Sequence, residues 1–194
     1  MKMQPWFQRL ALPIISVAFH IFFGFSVKGR ENIPEGGCVI CPNHCQLSDP
    51  PFAAIALTNR HLMEVMAKKE LFDIRGLGTL VAALGAFPVD RERADVNAIK
   101  HALSVVKEGR KLIIFPQGTR GSEETGAKEG AAMLAMRTHA LVVPMYISEG
   151  KHFRCHARIV IGKPFLPPAG TRDYKAVSEE IMQRIYALKA EVKR

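Results

Sequence analysis

The sequence predicts an α/β fold, a mixed sheet covered by helices, preceded by an apolar helix that associates with a membrane. Three observations predict it. Short apolar runs such as Cys38–Cys41, Leu112–Phe115 and 141–147 alternate with stretches whose apolar residues recur every three to four positions, the pattern of a helix-covered sheet. Turn signals rich in glycine and proline separate these runs, with no internal repeat or low-complexity linker between them. At 194 residues the chain can bury a full core, read here as one domain over residues 31–194 behind an N-terminal segment of residues 1–30.

The first element is the run Leu10 to Val27, which covers 18 residues without a charge and has Lys2 and Arg9 before it and Lys28 and Arg30 after it. A bilayer-spanning helix needs about 20 apolar residues, and Pro13, His20 and Gly24 interrupt this stretch. It is read as a helix that enters one leaflet or lies in the interface, anchored by its basic ends. A cleaved signal peptide lacks support, because no small-x-small cleavage site follows Val27. An ordinary core helix is the plain alternative.

After the turn Pro34–Gly37, Cys38–Cys41 reads as a strand that stops at Pro42. Ser48, Asp49 and Pro50 then signal a helix start, with a capping side chain followed by a proline at the first helical position. Residues 51–59 follow as a short helix, 61–67 as a strand, 68–84 as a helical stretch broken by glycines, and 85–91 as a strand ending in charge. Over 94–109, Val96, Ile99, Leu103 and Val106 keep helical spacing until Gly109 closes the segment. Leu112–Phe115 is a strand that breaks at Pro116 into a glycine-bearing loop. Residues 128–138 read as helix, 140–148 and 158–164 as strands, and the C-terminal segment sets Val177, Ile181, Ile185, Leu188 and Val192 on one helical face.

Charge narrows the partners. With 27 Lys and Arg against 18 Asp and Glu, the net charge of +9 favours nucleic acid, an anionic membrane face, or phosphorylated substrates. The positives are scattered rather than gathered in a run, and three Tyr and one Trp offer little for base stacking, which disfavours nucleic acid.

The stretch Cys38 to Asp49, CVICPNHCQLSD, brings Cys38, Cys41, His44 and Cys45 to spacings that resemble a structural zinc site. Two arguments oppose it: a chain of this length needs no metal staple, and on a strand Cys38 and Cys41 point to opposite faces. The cysteines are read as small buried hydrophobes, with no metal and no cofactor expected. What remains is His44 in a strand-to-helix loop and Asp49 five residues later. A carboxylate that holds one imidazole nitrogen leaves the other free to take a proton from a substrate hydroxyl.

Two further stretches suit an anionic ligand. Within FPQGTRG, Phe115 to Gly121, Gly118 lets a phosphate approach the backbone, Thr119 offers a hydroxyl and Arg120 a bidentate cation. Lys128 and Gly130 stand near the next helix start. In GAFPVDR, Arg91 falls just past a strand end, where α/β sheets tend to hold ligands. Taken singly, each has a plain reading as a cap, a loop residue or a solvated turn.

Together, and in this order, they resemble the glycerolipid acyltransferases, most closely the bacterial 1-acyl-glycerol-3-phosphate acyltransferases. NHCQLSD matches an Asn-His-x4-Asp signature, GAFPVDR a Gly-x-x-Phe-x-x-Arg block, FPQGTRG a Phe-Pro-Glu-Gly-Thr-Arg-Ser block, and VVPMYI an apolar-Pro block. The resemblance implies transfer of an acyl chain, from acyl carrier protein or acyl-coenzyme A, to the free sn-2 hydroxyl of lysophosphatidic acid. In that reading His44 is the general base and Asp49 orients it. Arg91, Gly118, Thr119, Arg120 and Lys128 bind the acceptor phosphate, and Gln117 bonds to its glycerol part. It implies a peripheral or monotopic place on the cytoplasmic face of the cell membrane, at an anionic surface. Gln117 stands where the family pattern has Glu and Gly121 where Ser is common, which leaves open another lysophospholipid acceptor. A membrane protein that binds anionic lipid without turnover is the alternative from a different class.

Overall fold

The computed structural model describes residues 3–57, 61–91, 95–117, 128–168 and 172–192. Within them run α1 (Pro5–Phe23), β1 (Phe25–Lys28), β2 (Cys38–Pro42), α2 (Asp49–Ala56), β3 (Met63–Lys68), α3 (Leu77–Ala83) and β4 (Ala86–Val89). They continue with α4 (Val96–Lys107), β5 (Lys111–Ile113), α5 (Gly130–Thr138), β6 (Leu141–Ile147), β7 (Ala157–Ile161), α6 (Tyr174–Ala187) and α7 (Lys189–Val192).

One seven-stranded sheet runs in the order β1-β7-β6-β2-β5-β3-β4. The block from β6 to β4 is parallel throughout, while β7 lies antiparallel to β6 and carries β1 parallel beside it. The sheet is mixed, as expected, and the parallel block delivers the C-terminal ends of its five strands to one edge.

Period-two alternation sorts the strands into two cores. Cys38 and Ile40 of β2 join Ile113, Val143, Met145 and Ile147 under α1 and α2, centred on the fully buried Phe52. Val39 and Cys41 face the other way, with Leu112, Val142 and Tyr146, under α4, α5 and α6. The two cysteines therefore do lie on opposite faces of the sheet, and burial pushes the Cys38 thiol up to about 11 and Cys41 higher still.

Two expectations need revision. The apolar run Leu10–Val27 is not one helix: α1 ends at Phe23, Gly24 turns the chain with φ +62°, and Phe25–Lys28 becomes the edge strand of the sheet. The alternating burial of Phe25, Ser26, Val27 and Lys28 is the period that marks a strand. Leu12 of α1 is buried in the same core as Phe52 and Ile159. In α4 the buried stripe is Ala98, Ala102, Val105 and Val106, while Ile99 and Leu103 are partly buried and Val96 is exposed. Alanines let the helix approach the sheet closely, so larger residues sit at its margins.

Among the described residues, side chains cap two helices: Asp95 accepts from the Ala98 amide and Asp173 from that of Ala176, each at 2.9 Å. At α2 the N-cap is Ser48, whose side chain makes no capping bond. A buried lysine, Lys111, is satisfied by the carbonyls of Pro34 and Gly36 in the turn before β2.

At the end of β1, Gly29 has φ +86°, and a Cβ there would stand 2.1 Å from the Ile161 carbonyl oxygen. Gly29→Ala combines left-handed strain with a backbone clash, so we expect a loss of about 2–4 kcal/mol. Urea denaturation of both proteins measures it.

Candidate active site

At the sheet edge where the parallel strands end, β2 exits through Asn43. This buried side chain behaves as an extra ladder rung to β6: it donates to the Ile147 carbonyl at 2.9 Å and accepts from the Ile147 amide at 2.7 Å. The chain thereby leaves the sheet at a fixed point, and His44 comes next.

His44 is held by three contacts. Its amide donates to Gln117 Oε1 at 2.6 Å, its ring packs on Phe115 at 4.4 Å between centroids, and its Nδ1 lies 3.2 Å from Asp49 Oδ2. Since Asp49 is a carboxylate and only accepts, the contact calls for the proton on Nδ1, so that in the neutral ring Nε2 carries the lone pair. The structure brings together the histidine and aspartate that the sequence singled out.

Asp49, the first residue of α2, has no exposed side-chain surface. Its Oδ2 accepts from the amides of Cys45 at 2.6 Å and Gln46 at 2.7 Å, and its Oδ1 stands 2.7 Å from Lys151 Nζ. The carboxylate therefore organises the loop before the helix rather than capping the helix's own amides. Burial alone would raise its pKa, but the bonds from His44, Lys151 and the Gln46 amide outweigh burial and hold it below the usual carboxylate range.

Lys151, which no motif flagged, has a wholly buried side chain and also donates to the Ser148 carbonyl at 2.7 Å. Gln46 clasps its backbone, accepting from the Lys151 amide at 2.7 Å and donating to its carbonyl at 3.2 Å. The lysine follows the end of β6 by four residues, a place only the folded chain brings beneath Asp49.

Gln117 is 2% exposed, and its amide is occupied at both ends: Oε1 takes the His44 amide and Nε2 donates to the Tyr186 hydroxyl at 3.0 Å. Arg91 is exposed just beyond β4, on the same edge as His44 but three strands away. Nearby, Lys69 pairs with Asp90 at 2.8 Å. The side chain of Lys128 is exposed, and its amide donates to the Pro116 carbonyl at 2.9 Å. Gly118, Thr119 and Arg120 lie outside the described residues.

A family model described as Acyltransferase matches residues 24–148, which is most of the chain. The chain belongs to the acyltransferase family. The 1-acyl-sn-glycerol-3-phosphate acyltransferase of Bacillus subtilis (strain 168) is 33% identical over 176 residues, covering 85% of this chain and 88% of that protein. The protein of the same name from Streptococcus pneumoniae (strain R6) is 37% identical over 115 residues, 59% of this chain and 42% of its own length. Among solved structures, the 1-acyl-sn-glycerophosphate (LPA) acyltransferase PlsC of Thermotoga maritima superposes with a TM-score of 0.71 at 25% identity, over 94% of this chain and 81% of that one. In this acyltransferase-family chain the matched span includes His44, Asp49, Arg91, Gln117 and Lys128, and stops three residues short of Lys151.

Because the folded carboxyl of Asp49 is depressed, its contribution to stability is fully present above the ordinary value of about 3.9 and is lost as pH falls through the folded one. Urea midpoints measured from pH 5 down to pH 3 should fall more steeply for the natural protein than for Asp49→Asn. Equal slopes would remove this assignment.

Proposed function

We propose that this protein transfers an acyl chain from an acyl thioester, on acyl carrier protein or coenzyme A, to the sn-2 hydroxyl of 1-acyl-glycerol-3-phosphate, giving phosphatidic acid. The observation that carries the reading is the contact between His44 Nδ1 and Asp49 Oδ2 at the sheet edge where the strands end. The names of the relatives agree with it.

In this mechanism Nε2 of His44 takes the proton of the acceptor hydroxyl as its oxygen attacks the thioester carbonyl. The tetrahedral adduct collapses with cleavage of the carbon–sulfur bond, and the imidazolium returns the proton to the departing sulfur. Ester and free thiol result, with no covalent acyl-enzyme. Asp49 keeps Nδ1 protonated and stabilises the imidazolium, while backbone amides at the site serve the oxyanion. The acceptor phosphate is assigned to Arg91, Gly118, Thr119 and Arg120, with Lys128 assisting. We assign Gln117 to the His44 main chain rather than to glycerol, because both ends of its amide are occupied within the protein.

The acceptor is a membrane lipid, and α1 offers the means to reach it. By length and composition alone this helix could cross a membrane. Its inner side docks on the domain, however: Gln8 bonds to Met63 and Leu84, and Phe19 and Phe23 pack on Phe52. Trp6, Leu10, Ile14, Val17 and Ile21 on its outer side are exposed. A helix so covered on one flank lies along the bilayer with its apolar face in one leaflet. We place the protein in this way on the cytoplasmic face of the cell membrane.

Purified protein given both donors with lysophosphatidic acid in liposomes should form phosphatidic acid, and His44→Ala should lower the rate by about 100- to 10,000-fold. Unimpaired turnover in that variant would sink the mechanism, and product formed only from other lysophospholipids would change the acceptor. Separately, Leu10→Glu combined with Ile14→Glu should abolish co-sedimentation with vesicles. It should change the unfolding free energy by less than about 1 kcal/mol, since neither side chain is part of the core.

A further inference from the structure

Lysine is among the residues least often buried without a partner. Lys151 nonetheless has no exposed side-chain surface, and Nζ reaches one oxygen of Asp49 while His44 reaches the other. It lies 5.8 Å from the centroid of the Phe52 ring, so the core closes over its stem. The Gln46 clasp ties the loop that carries it to the loop that carries His44. A lysine needed only to fill space would not require an ammonium there, and a carboxylate needed only to orient imidazole already has two backbone amides.

The charge matters because of the task proposed for His44. A carboxylate within a few ångströms favours the protonated form of a neighbouring imidazole by about 10- to 1,000-fold. A base must be unprotonated to act. A cation on the opposite oxygen opposes that field while leaving the orienting hydrogen bond intact. Other charges near this group are accounted for: Glu149 accepts from the Tyr146 hydroxyl at 2.6 Å and pairs with Lys189 at 3.1 Å. The Cys45 thiol, raised chiefly by burial, adds no charge. Among the described residues, Lys151 is thus the cation in direct contact with the carboxylate.

We infer that Lys151 is a positioning residue for the acyl transfer: acting through Asp49, it fixes the carboxylate and offsets its charge so that His44 remains available as a base at neutral pH. The inference rests on the reading of His44 as the general base.

The test is the pH dependence of kcat/KM for lysophosphatidic acid in the natural protein and in Lys151→Met, which keeps the stem and removes the charge. The acid limb should move upward by about one pH unit, with activity on the acid side of the limb down about tenfold, a smaller loss near pH 7 and recovery in alkali, and KM changed less than about twofold. A uniform loss at all pH values with the limb unmoved would make the role purely structural and overturn the inference. Should Lys151→Met not fold, Lys151→Arg restores the charge and should leave the limb in place, and a displaced limb there would also overturn it. Nitrogen-15 NMR of the His44 ring from about pH 5 to pH 9 reads the same coupling without turnover. The midpoint should rise in Lys151→Met, and identical midpoints would refute the inference even if the acyl transfer itself proved wrong.

Discussion

Asp49 meets the protein with both carboxylate oxygens out of contact with water, and the arrangement around it follows from that constraint. An ionised group so placed must be satisfied by hydrogen bonds and countercharge or lose its charge. Three segments converge to do this. The loop after β2 supplies two amides and an imidazole, α2 supplies the residue itself, and the loop after β6 supplies an ammonium. Each segment is then fixed relative to the others, and His44 inherits that rigidity.

The convergence is possible because β2, β5 and β6 are parallel neighbours whose ends open on the same edge. Asn43 adds a rung to the β2–β6 ladder, and Gln117 reaches from the end of β5 to the His44 amide. Backbone groups that leave the sheet would otherwise be buried without partners. Side-chain amides take them up, which explains two uncharged polar residues deep in the site. Gln117 accepts one hydrogen bond from the His44 amide and makes another with Tyr186, work an amide can do without a charge.

The N-terminal helix shows how one element serves two surroundings. Gln8, buried and bonded to two carbonyls, ties it to β3 and to the end of α3, while aromatic contacts with Phe52 join it to the core beneath the site. Its outer side remains apolar and exposed along its length. The helix thus belongs to the folded unit as fully as any other. Whatever it meets on its free side is held at a set distance from His44.

Much of this was legible in the residue order. Alternating strand and helix patterns gave the fold class, because burial on a sheet imposes a period of two and burial on a helix one of 3.6. The motif spacing marked His44 and Asp49, because a loop of that length between a strand and a helix brings the two side chains within reach. Other features were decided only by tertiary structure. Gly24 splits an apolar run whose composition reads as one helix, and the strand after it exists only because β7 is there to pair with it. Gln117 turns inward because His44 and Tyr186 need it. Lys151 reaches Asp49 from 102 positions along the chain. No local pattern marks such a residue, because its meaning lies in the buried charge that the fold sets opposite it.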